Sequence, residues 1–309
     1  MMWSGKRYHT LNYHLRARFG EKVMKISLDG GFSCPNRDGS ISREGCIFCS
    51  ERGSGDFAGS RQMTITNQFG QVRDHMTEKW AKGKFIAYFQ AFTNTYDTVA
   101  SLKRKYDEAV AQPGVVGLAI ATRPDCLDEE IVKLIADYAK EYFVWVELGL
   151  QTASDVTAEL INRGYQTKVY EEAMALLRQY DIDVVTHIIF GLPGETKKDM
   201  LSTVDFVREQ GSQGVKFHLL HLMKNTPMEK LYDEGRLEFM SKEDYIDVIC
   251  ESVGLLDPEM VVHRLTGDAP RELLIGPMWS LNKWEILNTI DSELERRNIT
   301  QGSLLEETK

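Results

Sequence analysis

The 309-residue chain contains no run of about 18 apolar residues, which excludes a simple membrane-spanning helix. Its first residues, Met1-Met2-Trp3-Ser4-Gly5-Lys6-Arg7, lack the apolar core of a signal peptide, so a cytoplasmic protein is expected. It also lacks an excess of positive charge. With 37 Lys and Arg against 46 Asp and Glu, the net charge is −9, and this disfavours nucleic-acid binding along the whole surface. Cysteine is sparse, and its five copies are an odd number. In a reducing compartment that argues against disulfides and for metal or redox chemistry. No internal repeat or low-complexity linker interrupts the chain. Cys126 and Cys250 stand alone in apolar surroundings and read as core residues.

The other three cysteines are close together, as Cys34-x11-Cys46-x2-Cys49 in a loop rich in Gly, Pro and Asn. A Cys-x-x-Cys pair joined by a third thiolate is a soft-ligand clamp of the kind that selects zinc or iron-sulfur clusters. Structural zinc sites take four ligands, whereas a four-iron cluster on three thiolates keeps one iron open to bind something else. The spacing by itself leaves alternatives: a zinc knuckle completed by His9, His14 or His75, or three unrelated thiols.

Hydrophobic residues make up 42% of the chain and charged residues 27%, which is ordinary for a globular enzyme with a sizeable core. From residue 23, short β-rich runs alternate with helical patterns, the mark of βα units and a parallel sheet. Strands are predicted at Val23–Leu28, Phe85–Gln90, Val115–Ala121, Phe143–Leu150, Ile182–Phe190 and Gly214–Leu220. Helices are predicted at Ile65–Lys82, Ser101–Ala111, Asp128–Lys140, Lys168–Tyr180 and Lys197–Gln210. Periodicity does not choose between a partial barrel and a doubly wound sheet. The polar residues help, because the cysteine loop, Gln90, Thr122, Gln151 and the Gly191-Leu-Pro-Gly-Glu195 turn all fall at the C-terminal ends of strands, where barrel enzymes carry their chemistry. After residue 222 the pattern becomes a mixed extension. The first 25 residues are basic and rich in aromatics, and beside a site loop such an arm is a candidate RNA contact or a packing segment; the last stretch is acidic, with Asp291, Glu293, Glu295, Glu306 and Glu307.

The cysteine loop, the strand-two segment Tyr88-Phe-Gln90-Ala-Phe-Thr-Asn94-Thr, the stretch Glu147-Leu-Gly-Leu-Gln151 with Asn162-Arg163-Gly164, and Phe190-Gly-Leu-Pro-Gly together resemble the radical S-adenosylmethionine (SAM) superfamily. Within it they are similar to the Elongator-like subgroup, in particular its short bacterial YhcC/YtqA type. The resemblance implies a partial (β/α)6 TIM-type barrel over residues 23–222, an N-terminal arm over 1–22, and a C-terminal α/β extension over 223–309 on the substrate side. It implies a 4Fe-4S cluster on Cys34, Cys46 and Cys49, with SAM as second cofactor, cleaved reductively to a 5′-deoxyadenosyl radical that takes a hydrogen atom from substrate. By the same resemblance Phe48, Gln90, Thr122, Gln151, Arg163 and His187 fall at SAM-contacting positions, although Gln90-Ala91-Phe92 stands where the family commonly has a Gly-Gly-Glu-like segment. A guanidinium at Arg163 would suit the SAM carboxylate. Candidate substrate contacts are His218, His263, Arg264, Arg271 and Lys283, a basic set suited to an anionic group. The subgroup points to tRNA as partner, with a flavodoxin- or ferredoxin-type electron donor. The expected reaction is remodelling of a wobble-uridine side chain, for example carboxymethylaminomethyl to aminomethyl. A small-molecule or protein substrate, and a non-catalytic zinc module that binds nucleic acid, are the other readings.

Overall fold

The structure is a computed structural model that describes residues 2–77 and 83–305. Seven parallel strands run in the order β1-β2-β3-β4-β5-β6-β8 and curl into an open barrel. They are β1 (Val23–Leu28), β2 (Lys84–Phe89), β3 (Val115–Thr122), β4 (Phe143–Gln151), β5 (Asp183–Phe190), β6 (Gly214–Leu219) and β8 (Val261–Arg264). The six predicted strands agree with the first six to within a residue at either end. The seventh comes from the extension, which also adds the short antiparallel pair β7 (Leu222–Met223) and β9 (Leu274–Gly276).

The crossover helices are α2 (Ile65–Thr77), α3 (Val99–Val110), α4 (Glu129–Ala139), α6 (Thr167–Gln179) and α7 (Lys197–Glu209), with a short α5 (Asp155–Leu160) before α6. The end of the helix predicted over Ile65–Lys82 falls at 78–82, outside the described residues, as do Glu306 and Glu307. Their starts are written in the sequence. Thr98, Asp128 and Ser154 each accept a backbone N–H at an N-cap, and Thr196 with Asp199 forms a reciprocal capping box. The extension supplies α8 (Pro227–Asp233), α9 (Lys242–Leu255) and α10 (Lys283–Arg296).

Strand alternation divides the sheet into two chemistries. Met24, Ile26 and Leu28 of β1, Val144, Val146 and Leu148 of β4, and Val215, Phe217 and Leu219 of β6 face outward into the main core beneath the helices. The intervening residues face the barrel interior. At the N-terminal ends of the strands these are apolar, with Val23, Ile86, Trp145 and Val185 in one cluster. Further along they become Lys25, Tyr88, Glu147, His187 and Lys216.

The N-terminal arm folds as α1 (Leu11–Phe19), capped by Thr10 and closed by left-handed Gly20. It packs against β1 and β8 and fills the lower part of the gap between these two edge strands. The Val262 N–H donates to the His9 carbonyl at 2.7 Å, and the guanidinium carbon of Arg18 lies 4.3 Å from the Phe143 ring centroid. Phe143 is the first residue of β4, so the arm covers the N-terminal ends of the strands, whereas the cysteine loop follows the C-terminal end of β1. The expectation of a basic arm beside the site loop is therefore corrected: its aromatics are packing residues.

Candidate functional site

The loop after β1 is folded so that its three thiols turn to one side. The Cys34 carbonyl accepts the Arg37 and Asp38 backbone N–H groups at 2.8 and 3.1 Å, and the Cys46 carbonyl accepts the Cys49 N–H at 3.0 Å. The segment after α5 holds the loop from behind. Buried Asn36 donates to the Asn162 carbonyl at 2.7 Å and points the same amide at Cys46 Sγ, 3.5 Å away. Asn162, in a left-handed conformation at φ 52°, returns a bond to the Gly45 carbonyl at 2.7 Å. Arg37 donates to the Cys49 carbonyl at 2.8 Å.

The hydrogen bond from the Cys49 thiol, opposed by burial and aided by Arg123, Asn36 and Arg37, draws Cys46 down to about 7. Cys49, as the proton-carrying partner, is pushed up. A poised thiolate, two further soft donors and an amide aimed at sulfur form a donor set that fits an iron-sulfur cluster. Among the described residues no three His, Cys, Asp or Glu side chains converge closely enough for a single ion, and the histidines offered for a zinc knuckle are elsewhere. His9 and His14 lie beneath the barrel with their ring centroids 5.4 Å apart and tilted by 51°, and His75 is exposed on α2.

A cavity of about 330 Å3 begins at the three cysteines and runs down into the barrel, opening sideways into an outer cleft of about 570 Å3 that reaches the extension. Phe48, Gln90, Thr122, Gln151, Arg163 and His187 all line the inner cavity. Phe48 packs against an apolar cluster that includes Ile161, Leu222 and Met228, and the Met228 N–H donates to the Ile47 carbonyl at 3.1 Å. Gln90 donates to the Ser54 carbonyl at 2.9 Å. Thr122 shares a 2.5 Å hydrogen bond with Thr95. Gln151 stands at the end of β4 with φ 63°, a conformation that non-glycine residues adopt at a cost and that is concentrated at functional sites.

Arg163 differs from expectation. It is 1% exposed, and all five guanidinium N–H donors have acceptors: Nη1 reaches the Leu150 and Thr152 carbonyls, each at 2.7 Å, Nε the Tyr165 carbonyl at 3.0 Å, and Nη2 Thr167 at 3.2 Å and Asp155 at 3.4 Å. A guanidinium whose donors are all taken, one by the Asp155 carboxylate, braces its own loop and has none to spare for a cofactor carboxylate.

The proposed substrate contacts separate. His218 and Arg264 line both cavities and Lys283 lines the outer one, 2.6 Å from Asp268. His263 lies below them, edge-on to Trp145 at 5.4 Å, and Arg271 is exposed and lines neither cavity.

Sequence reading missed the cavity floor. Glu147, fully buried, is ion-paired to Lys216, lies 3.6 Å from Lys25, and takes hydrogen bonds from Trp145 at 3.0 Å and His187 at 2.9 Å. Burial works to raise its carboxyl, but Lys216, Lys25 and His187 outweigh that and hold it well below the usual range. Burial, with Lys216 adding and Glu147 opposing, takes His187 down to about 4, so at neutral pH its Nε2–H is the donor to Glu147. Part of the signal was available, because Glu147 and His187 each stand at an inward position two residues after an apolar inward one, Trp145 and Val185.

Comparison with known proteins agrees with this geometry. Residues 38–207 match the sequence model of the radical SAM superfamily, and residues 212–296 match that of the radical SAM C-terminal domain. The chain is 52% identical to YtqA of Bacillus subtilis, over 97% of this chain and 94% of that protein. A tRNA uridine(34) acetyltransferase of Dehalococcoides mccartyi is 29% identical over 52% of this chain, a match that spans 35% of the acetyltransferase. In fold, the archaeal Elp3 of Methanocaldococcus infernus superposes with a TM-score of 0.69 over 90% of this chain and 64% of its own, at 14% identity.

Proposed function

The chain belongs to the radical SAM superfamily, and from that membership we propose that it remodels the side chain of a wobble uridine in tRNA by hydrogen abstraction. As a radical SAM enzyme it uses a 4Fe-4S cluster and SAM, which when bound and reduced supply a 5′-deoxyadenosyl radical. Cys34, Cys46 and Cys49 are the residues to hold the cluster. Phe48, Gln90, Thr122, Gln151 and His187 form the wall along which SAM is to lie. The chain's own part is to orient both groups, keep water from a narrow cavity, and present one C–H bond of the substrate.

The observation that carries the reading is the cavity itself, which starts at the thiols and ends on a charged floor inside the same barrel. The choice of uridine rests on the likeness to a tRNA uridine(34) acetyltransferase over about half of this chain. That likeness spans 35% of the acetyltransferase, and acetyl transfer is not part of the proposal. The proposed reaction acts on an existing group, converting carboxymethylaminomethyl to aminomethyl: the glycine-like methylene gives up a hydrogen atom, which leaves in 5′-deoxyadenosine, then an electron, which returns to the cluster, and a proton, and water hydrolyses the resulting imine to the amine and glyoxylate.

Anaerobic reconstitution with SAM and a reductant tests the chemistry. We expect 5′-deoxyadenosine, increased by tRNA that carries carboxymethylaminomethyluridine and abolished in Cys46→Ala. Nucleoside mass spectrometry of tRNA from a deletion strain tests the substrate, and an unchanged wobble-uridine profile would refute it.

A further inference from the structure

We propose that the cavity floor is a carboxylate-binding subsite, in which Lys25, Lys216 and Arg264 hold the anionic end of the substrate. This deepens the reading above and rests on it for the identity of that substrate.

The floor carries more positive charge than its surroundings neutralise. Lys25 from β1, Lys216 from β6 and Arg264 from β8 line the cavity with one carboxylate, Glu147 from β4. The next acid is Asp268, 3.5 Å from Arg264, but it is committed to Lys283 at 2.6 Å. The remaining neighbours add no negative charge, since His187 is neutral and burial keeps the Tyr88 hydroxyl protonated. His218 is likewise pushed toward its neutral form, mainly by burial, and its Nε2 has no hydrogen-bond partner. Burial pushes both lysines below the ordinary lysine range, opposed chiefly by Glu147 and reinforced to a lesser extent by neighbouring cations. A bound anion would relieve that strain.

The donor count agrees with the charge count. The Lys216 ammonium has three N–H donors and two acceptors, Glu147 and the Tyr88 hydroxyl at 3.1 Å. Lys25 lies 3.6 Å from the nearer Glu147 oxygen, beyond hydrogen-bonding range, and 4.6 Å from the Tyr88 ring centroid. Folding does not call for such a layer. One step below, the same strands fill the barrel with Val23, Ile86, Trp145 and Val185, and an uncompensated buried cation is costly in any fold. A compact anion with two acceptor oxygens on a narrow stem matches spare donors at the bottom of a cavity of about 330 Å3. A carboxymethylaminomethyl side chain ends in such a group, with the methylene to be attacked next to it.

SAM has a carboxylate of its own, and the test separates the two sources. The reconstituted protein is titrated calorimetrically with an anticodon stem-loop RNA bearing carboxymethylaminomethyluridine and with the same RNA bearing the neutral carboxamide. Lys25→Met is the main variant because it leaves the Lys216–Glu147 pair in place, and Lys25→Arg is the rescue. In the wild type the acid should bind about tenfold or more tightly than the amide. Lys25→Met should bring the ratio near one with SAM affinity unchanged, and Lys25→Arg should restore it. Equal binding of acid and amide by the wild type overturns the subsite while leaving the uridine reading intact. So does a Lys25→Met protein that loses SAM affinity and keeps the ratio, since the carboxylate is then that of SAM. If neither RNA binds but N-acetylglycine does, and Lys25→Met loses it, the subsite stands and the uridine reading fails.

Discussion

Replacing Arg163 by Met separates two roles for a buried arginine beside a cofactor cavity. The side chain is 1% exposed and donates to three carbonyls, those of buried Leu150 and Thr152 and of half-buried Tyr165, together with two side-chain oxygens. Methionine keeps most of the volume and none of the donors. Leaving a buried acceptor unsatisfied costs about 1–3 kcal/mol, so three carbonyls, with partial relaxation, put the loss at roughly 3–6 kcal/mol. At the ~2 °C per kcal/mol of a large domain, that lowers Tm by about 6–12 °C. The loss should appear in the cluster-free protein, because no cofactor is needed for these bonds. Differential scanning fluorimetry of the apo protein measures it, and limited proteolysis should find new cleavage between residues 152 and 166. If Arg163 were instead a SAM ligand, Tm of the apo protein would stay within about 1 °C of wild type and only SAM affinity would fall. That result would refute the bracing role.

Gly164→Ala should weaken cluster retention without touching a thiol. The glycine has φ +84° and an added Cβ would meet Asn36 Oδ1 at 2.9 Å, so about 1–2 kcal/mol of backbone strain is joined by displacement of the amide that faces Cys46. Iron content and absorbance near 400 nm per protein after reconstitution should both drop. Glu293 stands between Arg296 and Arg297, whose hydrogen bonds bring its carboxyl down to about 2. A depressed carboxyl stabilises the fold above its unfolded value of about 4.5, and this contribution is lost as pH falls toward 2. The stability gap between wild type and Glu293→Gln should therefore be widest near neutrality and close progressively below pH 4.5 in urea titrations.

The legible and illegible parts of this chain divide along physical lines. All six βα strands could be read, because their outward faces are apolar runs such as Val144, Val146 and Leu148, bounded by good helix caps. The cysteine loop could be read because soft ligands at short spacing have few other uses. The seventh strand, Val261–Arg264, could not: at four residues, with two of them polar, it is defined by its partner β6 and not by its own sequence. Arg163 was misjudged because a guanidinium's chemistry suits a carboxylate and a ring of carbonyls equally well, and only the fold places the carbonyls of Leu150, Thr152 and Tyr165 around it.

The inward face of the barrel accounts for both function and economy in the same residues. Its lower half is filled with Trp145 and aliphatic side chains and closed by α1, so the N-terminal end of the cavity is sealed by packing. Its upper half is lined by thiols and by strand-end polar groups. Between them, Glu147 sits where the two halves meet and holds Lys216, Lys25 and His187 in one cluster. Removing its charge would leave the buried cations unopposed, so the carboxylate serves to keep the floor positive and ordered at once. A group that reaches down the cavity from the cysteine side would meet this charged layer before the apolar packing beneath it. The depth at which Glu147 and the lysines stand therefore sets how far a side chain can reach past the cysteine loop, and with it which carbon comes to rest beside the cofactor site.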